Sequence, residues 1–119
     1  MGENILKSKS YKFAIRIVKL SQYLVTEKKE FVISNQILRS GTAIGALIRE
    51  SEHGETKKDF IHKLTISLKE ASETEYWLSI LKDTGYITDK LFNSLLVDCK
   101  ELLRLLTASV KTARKNSKK

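Results

Sequence analysis

The sequence predicts an all-α fold, an antiparallel up-down-up-down four-helix bundle. Three observations lead there. The 119 residues contain no proline and five glycines, so long helices meet few obligatory breaks. Apolar residues recur at three- and four-residue steps in four separate segments. The polar connections between those segments are short, which makes consecutive helices antiparallel neighbours. The length suits one domain over residues 1–119, with one modest core.

The spacing predicts the first helix over residues 10–26. Phe13, Ile17 and Leu24, with Ala14, Ser21 and Val25, recur at helical steps. The run from Glu27 to Glu30 is a polar turn. A second helix is predicted over 34–53, with Ser34 as N-cap and Ile37, Leu38, Ile44, Leu47 and Ile48 as its stripe. Gly54 then suits a left-handed C-terminal cap. The third is predicted over 56–84. Thr56 caps it, Asp59 follows three residues on, and Phe60, Ile61, Leu64, Leu68, Ala71 and Leu78 form the core stripe. Gly85 ends it. The fourth is predicted over 88–112, capped by Thr88, with Phe92, Leu96, Cys99, Leu103, Leu106 and Val110 on one face. The basic tail 113–119 is expected to fray.

Several function classes are poorly served by this composition. A lone cysteine, Cys99, can form neither an internal disulfide nor a multi-cysteine metal site. It sits on the core face, and no base is placed to activate it. No run approaches the ~20 apolar residues of a membrane span, and residues 1–10 lack the apolar centre of a signal peptide. A soluble, cytoplasmic protein with no membrane partner is expected. With two histidines, no Ser-His-Asp order is convincing. A di-metal bundle site needs Glu-x-x-His pairs. Glu50 and His53 make a single formal match at a helix end, while His62 follows Asp59. Gly41-Thr42-Ala43-Ile44-Gly45-Ala46 is no phosphate loop, lacking the Gly-Lys-Ser/Thr ending and a preceding strand. Its small residues suit close packing within the bundle. Neither catalysis, nor a metal, nor a cofactor is expected.

The formal net charge is +8. Residues 1–29 contribute +5 and residues 111–119 another +5, while the middle is mildly acidic at −2. In an up-down-up-down bundle the start of the first helix and the end of the fourth share a pole. Lys7, Lys9, Lys12 and Arg16 would then pool with Lys111, Arg114 and Lys115 into a positive cap, a field suited to phosphate backbones. Lys57 and Lys58 reach the same pole, partly offset by Glu50, Glu52 and Glu55. No set of stacking aromatics marks a single-strand binder.

A second apolar face is also legible. At 100° per residue, Ile61, Leu64, Leu68, Ala71 and Leu78 fall within about 100° of Phe60, whereas Ile66, Trp77 and Ile80 fall at about 200–260°. A tryptophan between two isoleucines on the far side suits an oligomer interface. Leu91, Leu95, Leu102 and Leu105 widen the apolar arc of the fourth helix in the same manner. Arg39, Arg49, Glu50, Glu73 and Glu75 flank apolar positions and are expected to form structural ion pairs orienting the second and third helices.

The run Gln36-Ile37-Leu38-Arg39-Ser40-Gly41-Thr42-Ala43-Ile44-Gly45-Ala46-Leu47-Ile48-Arg49-Glu50 resembles the small four helix bundle proteins encoded in 23S rRNA intervening sequences. Lys58-Asp59-Phe60-Ile61, the run from Leu64 to Ala71, Glu75, Leu78 and Gly85-Tyr86-Ile87 continue the likeness. The resemblance implies a bacterial, antiparallel bundle assembled as a homopentameric ring. The accessory variability protein of diversity-generating retroelements is similar in fold, and it binds nucleic acid and a reverse transcriptase. An RNA or DNA partner is therefore implied, without a defined biochemical activity. The family usually has Asn where Leu47 stands and Gly where Ser51 stands, so local packing must differ here.

Two function classes follow. One is a homo-oligomer that binds RNA or DNA non-specifically through pooled basic charge. The other is an adaptor that binds another protein and touches no nucleic acid.

Overall fold

The computed structural model describes residues 2–117, with side chains from 5 to 116. Four helices run in chain order: α1 over Gly2–Thr26, α2 over Val32–Ser51, α3 over Lys57–Asp83 and α4 over Asp89–Ser117. Each packs on its two neighbours, α1 on α2, α2 on α3, α3 on α4, and α4 back on α1. The α1–α4 seam is the least extensive. The result is the up-down-up-down bundle, 51 × 22 × 19 Å.

The termini of the helices follow from local chemistry. Thr56 accepts from the Asp59 N–H at 3.0 Å, and Thr88 accepts from the Leu91 N–H at 3.1 Å. At the end of α3, Gly85 takes a left-handed φ of 82°. Its N–H donates to Lys82 O at 3.0 Å and the Tyr86 N–H to Leu81 O at 2.9 Å, the Schellman pattern.

Four boundary expectations are corrected. Ser34 is not the cap of α2. The Glu30 carboxylate accepts from the N–H groups of Val32 at 3.3 Å and Ser34 at 2.7 Å, satisfying two otherwise orphaned donors, while Ser34 itself is buried. Gly54 does not supply a left-handed cap. The chain leaves α2 by tighter bonds three residues apart, from Glu52, His53 and Gly54 N–H to Arg49, Glu50 and Ser51 O at 3.0–3.2 Å. Helix α1 begins eight residues earlier than the apolar spacing shows, because among the described side chains of that extra stretch only Leu6 is buried in the core. Residues 113–117 continue α4 rather than fray, held by buried Ala113 one turn beyond Val110; residues 118 and 119 lie outside the described ones.

The core is aliphatic, with Phe13, Ile17, Leu24, Ile37, Ile44, Ile48, Leu78, Leu81, Leu95, Leu102 and Leu106 almost wholly enclosed. A polar seam joins α2 to α3 inside it. Thr74 donates to Ser40 Oγ at 2.9 Å and Ser67 to Ile44 O at 2.9 Å. Among the described residues no buried side-chain nitrogen or oxygen lacks a partner, so these hydroxyls cost little desolvation. Cys99 is enclosed against α3, its thiol reaching Ala71 O at 3.4 Å; burial pushes its pKa up to about 12.

Candidate nucleic-acid interface

The cations predicted to pool at one pole divide into two groups. Lys7 pairs with Glu52 at 2.9 Å, Lys9 with Glu101 at 3.1 Å and Arg16 with Asp98 at 2.8 Å. Arg16 also donates to Ser94 Oγ at 2.9 Å and Ser94 O at 3.3 Å. These three side chains brace α1 against α2 and α4, and their charge is largely spent inside the molecule. Lys12 is exposed on the outer side of α1.

Lys111, Arg114 and Lys115 are disposed differently. With Leu68, Thr107 and Val110 they line a groove of about 450 Å³ between α3 and α4. An adjoining groove of about 420 Å³ is lined by Lys58, Asp59, Ile61, His62, Thr65 and the same Arg114. Arg114 borders both grooves. Among the described residues, Lys58, Lys111 and Lys115 form no ion pair within the chain. Of the three acids expected to offset this pole, Glu52 is engaged on Lys7 and Glu50 on Lys63 at 2.9 Å, while Glu55 is exposed and forms no ion pair among the described residues. The two adjoining grooves together form a positive α3–α4 channel whose lining holds one carboxylate, Asp59. Sequence reasoning placed Lys58 only near the pole and missed His62. Their four-residue spacing on α3, matching Lys111 and Lys115 on α4, was the available signal.

The ion-pair candidates also separate. Arg39 on α2 reaches Glu70 at 3.1 Å and Glu73 on α3. Glu50 joins α2 to α3 through Lys63. Glu75 instead pairs across α3 and α4 with Lys100 at 2.9 Å, and Arg49 lies over the Tyr11 ring of α1, 5.7 Å from its centre. The Trp77 indole N–H donates to Glu73 at 3.0 Å. That bond, then Arg39, holds the Glu73 carboxyl below its ordinary value, against the opposing effect of burial. Glu73 in turn raises Arg39.

The predicted interface trio sits less far out than the apolar count implies. The buried stripe of α3 is Leu64, Ser67, Ala71, Thr74, Leu78 and Leu81. Ser67 and Thr74 turn the buried face toward α2, so Trp77 lies on its flank, half-buried against the core. Ile66 and Ile80 are also half-buried. Leu95 and Leu102 are enclosed against α1, whereas Leu91 and Leu105 are half-buried. The more exposed apolar strip is on α1: Tyr11, Ile15 and Val18 are 56%, 41% and 37% exposed. Tyr76, 59% exposed, meets Trp77 edge-on at 5.0 Å.

Among the described residues no cluster of three His, Cys, Asp or Glu side chains is arranged to hold a metal ion. No described helix is long and apolar enough to cross a membrane.

Residues 3–108 match the family model described as 23S rRNA-intervening sequence protein. A crystal structure of a protein of unknown function, from the S23 ribosomal protein family of Bacteroides thetaiotaomicron, is 54% identical and superposes with a TM-score of 0.92. The similarity covers 93% of this chain and 99% of that one. No curated protein matches the chain.

Proposed function

Because the chain belongs to the 23S rRNA-intervening sequence protein family, we propose that it is a non-enzymatic, cytoplasmic, homo-oligomeric bundle that binds nucleic acid non-specifically. The observation that carries this reading is the α3–α4 channel, where Lys58, Lys111 and Lys115 have no ion pair among the described residues. Cations already paired would have to give up a carboxylate to meet a phosphate. Lys58, Lys111 and Lys115 do not, and so bind at lower cost. Other lysines, Lys12 and Lys19 among them, also form no ion pair among the described residues, but Lys58, Lys111 and Lys115 gather around two adjoining grooves and so present their charge together to an external anion.

Self-association is the second part of the proposal. The α1 strip of Tyr11, Ile15 and Val18, with the Tyr76–Trp77 pair and half-buried Ile66 and Ile80, offers apolar surface to sister chains. The family resemblance supports a pentamer. A ring repeats each channel and raises affinity for a long polyanion by multivalency.

Titration of a labelled duplex by fluorescence anisotropy, with mass measured by light scattering in the same buffers, tests both parts. The proposal expects an oligomer whose affinity falls steeply with salt. A monomer that moves no nucleic acid even at low salt contradicts it. That outcome favours the adaptor, for which the α1 strip would be the docking face.

A further inference from the structure

We propose that the α3–α4 channel selects double-stranded nucleic acid over single strands and holds it by phosphates alone, without reading bases. The inference rests on the polyanion reading above and names the form of the polyanion.

The chemistry of the lining carries it. Single-strand tracks stack successive bases on aromatic faces, at ~1–3 kcal/mol per base. The two grooves are lined by Lys58, Asp59, Ile61, His62 and Thr65, and by Leu68, Thr107, Val110, Lys111, Arg114 and Lys115. One ring stands among these, the imidazole of His62, which can take one base and not a succession. The exposed tyrosines are placed elsewhere. Tyr11 and Tyr23 are on α1, the corner diagonal to α3, and Tyr76 lies about 12 Å further along α3 than Leu68. Unpaired bases entering the channel would find cations and aliphatic walls but no platform.

Base readout is equally unsupported. No Asn or Gln lines the channel, so the amide pairing that reads adenine has no donor–acceptor set there. The hydroxyl protons of Thr65 and Thr107 are donated to Ile61 O at 2.8 Å and Leu103 O at 2.7 Å in their own helices. What remains is three lysine ammoniums, which meet phosphate as point charges without geometric selectivity, and the Arg114 guanidinium, the one group of the lining shaped to fork onto a guanine edge, which is already engaged within the molecule. The lining spans about 15 Å along α3 and about 12 Å along α4, and each strand of a duplex presents a phosphate every ~3.4 Å of axis. The cations themselves cover about 6 Å of α4, from Lys111 to Lys115, with Lys58 facing them from α3, so about two consecutive phosphates of a stiff strand edge fall beside them. A flexible single strand must be ordered first, with no stacking to offset that entropy.

The test uses the full chain at low salt, with a short labelled duplex, each of its separated strands, a duplex of scrambled sequence and an RNA duplex. Duplexes are expected to bind roughly tenfold tighter than either strand, with both sequences alike. Lys58→Glu with Lys115→Glu is expected to weaken duplex binding and shrink that ratio. Single strands binding as tightly as the duplex, or a marked preference between the two sequences, would overturn the inference and leave the polyanion reading standing. A ratio untouched by the double variant would overturn it too, by placing selection elsewhere. Failure of every probe to bind would remove the polyanion reading itself, and this inference with it.

Discussion

Gly41 and Glu73 show how single side chains fix this bundle. A Cβ built on Gly41 would lie 2.8 Å from both Ile17 Cγ1 and Cγ2. Ile17 is fully enclosed and stiff at Cβ, so neither partner can yield cheaply. The helix-propensity gain of Gly41→Ala, ~1 kcal/mol, is set against ~1–3 kcal/mol of overpacking. Gly41→Ala is therefore expected to lower the urea midpoint while leaving helical content unchanged. A raised midpoint would mean that α1 and α2 are further apart than described. At Glu73 the folded carboxyl titrates below its ordinary value, chiefly because the Trp77 indole donates to the ionised form. A lowered folded pKa contributes stability above the unfolded value of ~4.3 and loses it as pH falls through the folded value. The stability advantage of wild type over Glu73→Gln should be present at neutral pH and vanish on acidification below that range. An advantage that grows in acid would contradict the assignment. The group is partly solvated, so the effect is small.

At the scale of elements, the long apolar stripes were legible and the polar parts of the core were not. Ile37, Ile44 and Ile48, or Phe92, Cys99, Leu106 and Val110, repeat at helical steps and are buried as that period requires, whereas Leu38, Leu47, Leu96 and Leu103 of the same predicted stripes are half-buried and Leu95 and Leu102, expected to flank, lie in the core. Ser40, Ser67 and Thr74 are buried too, but a hydroxyl gives no apolar signal until its partner is known. Omitting them displaced the apparent core face of α3 and made Trp77 look opposite rather than flanking. The start of α1 was hidden for a related reason: one fully buried leucine cannot establish a period. The channel was half legible. Lys111, Arg114 and Lys115 stood out by charge, whereas Lys58 and His62 gained meaning only when α3 and α4 lay side by side. The cap of α2 was missed because glutamate is an unusual N-terminal cap, acting here from the residue before Phe31. Glu30→Ala leaves the Val32 and Ser34 N–H groups without that carboxylate. It should cost about 1 kcal/mol in chemical denaturation, the scale of a missing cap. A variant as stable as wild type would show that water satisfies these groups equally well.

On the scale of the whole molecule, the bundle separates structural charge from available charge. Lys9–Glu101 and Arg16–Asp98 tie α1 to α4 across the least extensive seam, and Lys7–Glu52 ties it to the end of α2. Channel lysines on α3 and α4 remain for an outside anion. Each phosphate neutralised should add ~0.9 to the slope of log affinity against log salt on a duplex. That slope, compared among variants, tests the separation most directly. Replacing Lys111 and Lys115 by glutamate should flatten it by about 2, one for each phosphate no longer neutralised. Lys7→Gln should leave it almost unchanged at equal helicity. Equal slopes for wild type and the channel variant, or a flattening at Lys7 as large as that in the channel, would contradict the account.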